Sequence, residues 1–411
     1  MLKANLRANK WEEFRLDSFF KLSSGATKPD DLVPEPNQLR PFPVYGGNGV
    51  MGYSSAFNAE GENIVVGRVG ANCGCIHHVI GRCWITDNAL FTSQKKETFN
   101  TAYMAYLLEH LDLARLRGQS GQPLVSQGPI HSLRALVAPL PEQRKITEIL
   151  QTWDSAIEKA SQLIAVRKKQ YLGLRDQLVD WSSKYQSPLR QFLNPVSRQI
   201  AKPDTKYRAL SIRSHGKGTF ARIVENPASV DMETLYVAKA GDIIVNITFA
   251  WEGAIALVPP EHDGCLVSHR FPTFVPVHDK ANVRYLRHAL RMQRFTYLLG
   301  LVSPGGAGRN RVLNKSDFLD LKGPLPSTSE QARIAVILDD AENAVAREIQ
   351  LRDALERQKR GLMQKLLTAS GESPRKAAER PQNDRQYAKA IYPSTAGWFE
   401  SRACFAGRHH D

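Results

Sequence analysis

The densest group of chemically capable side chains in the sequence is Cys73, Cys75, His77, His78 and Cys83. Thiolates and imidazoles are common zinc ligands, and a thiol beside an imidazole is the starting point of a cysteine nucleophile. The spacing argues against both. The usual two-residue separation of paired zinc cysteines is absent, and on a strand His77 and His78 would turn to opposite faces. Nothing nearby supplies a third group to orient His77 as a base. The cluster therefore reads as small buried thiols in a β region, with a Cys/His metal-dependent hydrolase as the competing reading. Phosphate chemistry finds no support either. There is no Gly-x-x-x-x-Gly-Lys-Ser/Thr loop, and the turn Gly46-Gly47-Asn48-Gly49 lacks the lysine that would make it one. No catalytic residue, no metal site and no bound cofactor are expected.

A different chemistry fits better. Base edges in a DNA groove are read by side chains that present donors and acceptors together, chiefly Arg, Asn and Gln, from loops where glycine permits close approach. Gly118-Gln119-Ser120-Gly121-Gln122 is such a loop, with Arg115 and Arg117 just before it; Gly305-Gly306-Ala307-Gly308-Arg309-Asn310-Arg311 is another. A second group comprises Tyr45, Gly47, Asn48, Arg68 and Asn72 in the first half of the chain. Arg213, His215, Lys217, Asn246, Trp251, His269 and Arg270 form its counterpart in the second half. Each of these residues taken singly also reads as a phosphate contact or a plain surface residue, and Trp251 as core. The net charge of +14 favours a polyanionic partner, because the last 41 residues carry only +2 of it and the rest is spread over folded sequence.

The elements that must position these loops come in duplicate. Glu142–Leu178 and Glu330–Leu366 align without gaps and are identical at twelve of thirty-seven positions, far more than unrelated stretches of this composition would share. Each follows a proline-flanked lead-in, Pro139-Leu140-Pro141 and Pro324-Leu325-Pro326, that ends one element and releases the next. Leu150, Trp153, Ile157, Ala160, Ile164, Tyr171, Leu174 and Leu178 recur at three- and four-residue intervals, interrupted once at Arg167, which predicts a long helix with a coiled-coil seam. The second copy keeps a less regular stripe: Ile334, Ile337, Leu338, Ala341, Val345, Leu351, Leu355, Leu362 and Leu366. The obvious partner of each helix is its duplicate. Ahead of them, Asn63–Val66 and Asp242–Val245 align as strands, and Ala71 and Gly74 fall on Ala250 and Gly253. The expected organisation is a mixed α/β domain over 1–141, a helix over 142–182, a second domain over 183–328, a second helix over 329–368, and a poorly ordered tail over 369–411 rich in Ser, Pro, Arg and Gln.

In this order of parts the chain resembles the DNA-specificity subunits of type I restriction-modification systems. The resemblance runs from about Trp11 to Leu367 and rests on the Leu16-Asp17-Ser18-Phe19-Phe20 opening, the Val44–Gly49 turn, the strand pair, and the Pro-Leu-Pro-Glu-Gln entry to a long helix. It implies a Y-shaped scaffold with two target-recognition domains on an antiparallel pair of helices related by a pseudo-twofold axis, each domain reading half of a split double-stranded DNA target. A 37-residue helix, roughly 55 Å long, would act as the ruler. The implied partners are two methyltransferase subunits and two restriction-translocase subunits, which would bring S-adenosylmethionine, ATP and Mg. Residues 207–222 have no counterpart around Tyr45–Gly49, so an asymmetric target is expected. A stand-alone nucleic-acid-binding module is the alternative that keeps the same fold. With no apolar run long enough to span a membrane and five cysteines in no disulfide framework, a cytoplasmic protein is expected.

Overall fold

The computed structural model describes residues 11–118, 123–181, 186–306 and 311–368. They divide into two compact units, with boundaries at Glu158/Lys159 and Arg352/Asp353. The tail expected over 369–411 lies outside the described residues.

In the first unit the β-branched run Ile64-Val65-Val66 lies in the strand Glu62–Gly67, inside a four-stranded antiparallel sheet ordered Phe20–Ser24, Ala89–Lys95, Glu62–Gly67, Ile76–Ile80. Strand alternation sends Ile64 and Val66 into the main core and Val65 into a smaller one with Val79, Cys83, Ile85 and Ala89. A three-stranded sheet of Gly49–Ser54, Phe42–Gly46 and Trp84–Ile85 shares the smaller core. Helices α1 (Thr101–His110) and α2 (Gln127–Ser132) supply the main core, α1 with a fully buried Tyr103 and Met104. A ribbon of Glu12–Arg15 with Arg134–Val137 leads into α3 (Leu140–Leu178). Pro141 falls in the first turn of α3, where a missing N–H costs nothing.

The second unit repeats this plan. Its ribbon is Gln186–Pro188 with Lys322–Pro324, and its four-stranded sheet is Leu193–Val196, Thr273–Pro276, Ile243–Val245, Ile255–Leu257. A five-stranded sheet of Gln199–Ala201, Thr234–Val237, Leu266–Val267, Tyr207–Ile212 and Thr219–Val224 stands where the first unit has three strands. Helices α4 (Val283–Ala289), α5 (Gln293–Leu301) and α6 (Lys315–Asp320) precede α7 (Thr328–Leu366). The fold is thus mixed α/β, with two globular domains and two long antiparallel helices, duplicated within one chain.

The antiparallel pairing is visible inside each unit. In the first, Ile146 and Leu150 of α3 share a core with Met363 of α7 and with Leu367, and Leu362 and Leu366 pack against it. In the second, Tyr171 of α3 shares a core with Ile334, Leu338 and Val345 of α7, and Leu178 packs against it. Ile164 is buried, whereas Trp153 and Leu355 are only partly covered. Ile157 is likewise partly covered. Two members of the expected stripe leave it: Leu174 is 37% exposed and Leu351 50%. A seven-residue repeat drifts by about 20° per heptad on a straight helix, so a stripe extended over four heptads cannot keep every member on one side.

Each domain is fastened to its helix by the same polar joint. The Asn100 side chain caps α1 by accepting from the Tyr103 N–H at 2.8 Å, while the Asn100 N–H donates to Gln143 Oε1 at 2.8 Å. Gln143 Nε2 donates to the Ala138 carbonyl at 2.8 Å, and the Ala138 N–H donates to the Tyr103 hydroxyl at 3.1 Å. In the second unit Asn282 caps α4 and its N–H donates to Gln331 Oε1 at 2.7 Å. Gln331 Nε2 reaches the Lys280 and Pro326 carbonyls at 2.9 and 2.8 Å, and the Tyr285 hydroxyl donates to Pro324. The glutamine of the repeated Glu-Gln pair is therefore a buried lock between globular domain and helix.

Candidate nucleic-acid interface

In the first unit the strands Phe42–Gly46 and Gly49–Ser54 pair with Gly46 opposite Gly49, leaving Gly47 and Asn48 as a two-residue loop that continues from Tyr45. Glycine is required at 47, since a Cβ there would lie 2.7 Å from the Val69 carbonyl oxygen. This close approach brings Asn48 to the following loop, where Asn72 Nδ2 donates to Asn48 Oδ1 at 2.7 Å. Gly74, with φ of 94°, lets that loop press on the turn around Ala114. Arg117 donates from Nε and Nη2 to the Cys73 carbonyl at 3.3 and 3.0 Å. Arg68 is tethered to Ser24 Oγ at 3.0 Å, and Arg115 is exposed. The expected residues 45–48, 68–72 and 115–117 thus meet along one edge, with Gln119, Ser120 and Gln122 outside the described residues.

Arg115 and Arg117 separate by role. Arg115→Ala is expected to reduce the slope of log affinity against log salt by about one, the signature of one lost phosphate contact, with no change in melting temperature. Arg117→Ala instead removes two charged hydrogen bonds from a loop carbonyl and is expected to cost about 2 kcal/mol of stability. Salt titrations of DNA binding by fluorescence anisotropy, beside thermal melts, distinguish the two.

The Cys/His cluster disperses. Cys73 belongs to the main core and Cys83 to the smaller one, both fully buried, and Cys75 Sγ alone approaches His77 Nε2, at 3.5 Å. His78 faces Glu62 instead, 3.9 Å away. Burial pushes the Cys75 thiol up and holds His77 and His78 below the ordinary imidazole value. A protonated thiol beside a neutral imidazole is the reverse of an activated nucleophile. An open cleft of about 600 Å³ runs behind this edge from Tyr45 and Asn48 past His77 and Tyr106 to Asp154 and Lys359.

The second unit gathers its candidates around the counterpart of Gly74. Gly253, at φ 74°, lies against Thr296 of α5 and the backbone of His215. The 213–218 loop is pinned there by His215 N–H to the Glu252 carbonyl at 2.7 Å and Gly216 N–H to the Gly253 carbonyl at 3.0 Å. Trp251 donates from Nε1 to the Thr248 carbonyl and carries the Arg311 guanidinium 5.2 Å above its ring. Asn246 turns inward, its Oδ1 accepting from the Thr248 N–H at 3.0 Å. Arg270 rests on Thr248 at 3.4 Å, Arg213 stacks on Phe220 at 4.6 Å, and Lys217 and His215 are exposed. His269 lines a different cavity, of about 420 Å³, with Arg198, Tyr236, Phe271 and Lys315. Arg309 and Asn310 lie outside the described residues.

Where each domain meets the helices, the sequence reading missed a second set of residues. Tyr106 donates to Asp154 Oδ2 at 2.5 Å, and Lys359 Nζ sits 2.6 Å from Asp154 Oδ1. The second unit places His288, Glu342 and Tyr171 at the duplicate positions: His288 follows Tyr106 by 182 residues, and Glu342 and Lys359 follow Asp154 and Tyr171 by 188. Burial holds His288 below the ordinary imidazole value; its Nε2 lies 2.7 Å from Asp339 Oδ1 and its Nδ1 3.0 Å from the Tyr171 hydroxyl. Burial works to raise the Asp339 and Glu342 carboxyls, but His288, Arg284, Arg287 and Arg291 outweigh it and keep both below the ordinary range. The ligand atoms of His288, Asp339 and Glu342 lie within 4.8 Å of one another. A metal ion there would meet three arginines, so the cluster is an ion-pair junction.

The family model of the type I restriction modification DNA specificity domain matches residues 8–166 and 207–357. The EcoprrI type I restriction enzyme specificity subunit of Escherichia coli is 27% identical over 126 residues, 31% of each chain. The specificity subunit assigned to the MjaX type I restriction enzyme of Methanocaldococcus jannaschii is 22% identical over 316 residues, 68% of this chain and 70% of that one. The chain thus spans under a third of the first relative's length. Among solved structures, the type I restriction-modification S subunit from M. genitalium has 16% identity and a TM-score of 0.57, covering 88% of this chain and 96% of that one. A chain solved in connection with complex assembly and conformational transition of the type I R-M system has 14% identity and a TM-score of 0.51 over 87% and 97%. Both speak for the fold.

Proposed function

This chain belongs to the type I restriction-modification DNA specificity family, and from that premise we propose that its two units read the two unlike halves of one bipartite duplex site. The observation that carries the proposal is a duplicated frame bearing unduplicated loops. The polar joint, the four-stranded sheet and the long helix recur, while the reading edges differ. One is a two-residue turn on a three-stranded sheet; the other is the 213–218 loop on a five-stranded sheet. A protein reading a symmetric site would keep both edges alike.

Residues 1–141 and 183–328 act as the recognition segments, with Asn48, Asn72 and Arg115 at the first edge and Arg213, His215 and Lys217 at the second. Gln119, Ser120, Gln122, Arg309 and Asn310, outside the described residues, are proposed as further DNA contacts on the grounds of their sequence alone. The segments 142–182 and 329–368 are the spacer; a 39-residue helix is about 58 Å long, which suits an unread stretch between half-sites. Leu163 and Leu351, exactly duplicate positions on α3 and α7, are both exposed, at 38% and 50%. They favour near-equivalent docking of two methyltransferase subunits, joined for cleavage by two restriction-translocase subunits. S-adenosylmethionine, ATP and Mg then belong to those chains, and this one contributes positioning in the cytoplasm with no catalytic side chain.

Mapping methylated bases in host DNA with and without this gene tests the reading. Loss of a single split motif is the expected result. An unchanged methylation pattern in a strain whose methyltransferase subunits are active would overturn it.

A further inference from the structure

The junction of the second unit continues into its reading edge through one side chain. Arg291, between α4 and α5, donates from Nη1 to Glu342 Oε1 on α7 at 2.8 Å and from Nε to the Gly216 carbonyl at 3.0 Å. The backbone it holds is unusual. His215 and Gly216 are consecutive left-handed residues at φ 62° and 63°, and His215 is one of two non-glycine residues with positive φ among those described. Such a conformation persists only where the surroundings impose it. Here they do so from two sides. Glu252 and Gly253 accept the His215 and Gly216 N–H groups, and Glu252 Oε2 takes the Ser214 hydroxyl at 2.7 Å. Opposite them, Arg291 takes the carbonyl and packs so closely that a Cβ on residue 216 would lie 3.3 Å from its Cγ. Glu342 is itself fixed by Arg287 at 2.7 Å.

Resting on the proposed DNA-reading role of the 213–218 loop, we infer that Arg291 is a positioning residue for the second half-site: it sets the loop's left-handed step from the long helix α7. A planar guanidinium is needed, because its divergent N–H groups serve a carboxylate and a carbonyl at once. Among the described residues the first unit shows no such device. The position 182 residues before Arg291 is Glu109, of opposite charge, which looks to Lys359 at 3.9 Å. Its reading turn is set by the glycine contacts and the Asn48–Asn72 bond instead. The two half-sites should therefore differ in their dependence on the helices.

The test uses the full chain assembled with its methyltransferase subunits, selecting duplexes randomised in both half-sites. Arg291→Lys keeps the charge beside Glu342 but cannot make both bonds. It is expected to lower base preference at least tenfold in one half-site, leave the other unchanged, and melt within a few degrees of the unaltered chain. Gly216→Ala should blunt the same half-site, since it attacks the same backbone step. Base preferences intact in Arg291→Lys, or eroded equally at both half-sites, would overturn the inference. An unaltered chain with no base preference anywhere would remove the proposed function itself and the inference with it.

Discussion

Exchanging residues 1–140 for the corresponding stretch of a relative with a different target is expected to change one half of the methylated motif and leave the other half base for base as it was. The exchanged segment carries the first proposed reading edge as far as it is described, from the Gly47–Asn48 turn through Asn72 to Arg117. It leaves Ile146, Leu150, Met363 and Leu367 in place to receive the incoming core. A mismatched base pair costs about 1–3 kcal/mol, so replacing even two specified positions shifts preference by roughly 30-fold to 10⁴-fold. Single-molecule methylation mapping reads this directly. If both halves of the motif changed together, the assignment of one half-site to each unit would be wrong.

The second large effect concerns the joint. Gln331 is fully buried and makes three hydrogen bonds, to the Asn282 N–H and to the Lys280 and Pro326 carbonyls. Gln331→Met keeps the volume and removes all three, leaving backbone groups without partners at about 1–3 kcal/mol each before water enters. A net loss of about 3 kcal/mol is expected, or roughly 6–12 °C in melting temperature for a unit of this size. Gln143→Met removes two such bonds and should cost about 2 kcal/mol. Calorimetry of the full chain checks both. A Gln331→Met chain that melts with the unaltered one would show that the joint does not hold the second domain to its helix.

The helices and central strands were legible because burial imposes a period. Leu150, Ile164, Leu338 and Val345 recur as a buried stripe, and the runs at Ile64 and Ile243 are β-branched and bounded by turn residues. The glycines of the proposed reading edges were legible as glycines, although the carbonyl that excludes a side chain at Gly47 belongs to Val69 and is invisible to local pattern. The polar joints were not read at all. Asn100, Gln143, Tyr106 and Asp154 resemble ordinary cap and surface residues until a contact forty or more residues away gives them a role. A trace did exist: Asn100-x-x-Tyr103-x-x-Tyr106 recurs as Asn282-x-x-Tyr285-x-x-His288. It is too short to stand out beside the repeat of the long helices. Arg117 and Arg311 mark the opposite limit, since pattern suggested DNA-facing loops and gave no sign of the backbone carbonyls, of Cys73, Gly300 and Ser303, that these guanidinium groups also hold.

The first unit owns the opening of α3 and the close of α7, while the 194 residues from Lys159 to Arg352 belong to the second. On a ribosome adding about 5–20 residues per second, that interval takes roughly 10–40 s. Throughout it Ile146 and Leu150 wait without Met363 and Leu367. The unit translated later has a contiguous sequence and can close before the first is complete, against the usual order of maturation from the amino terminus. The nascent chain leaves a greasy seam open for whatever holdase the cell provides until its last helix emerges.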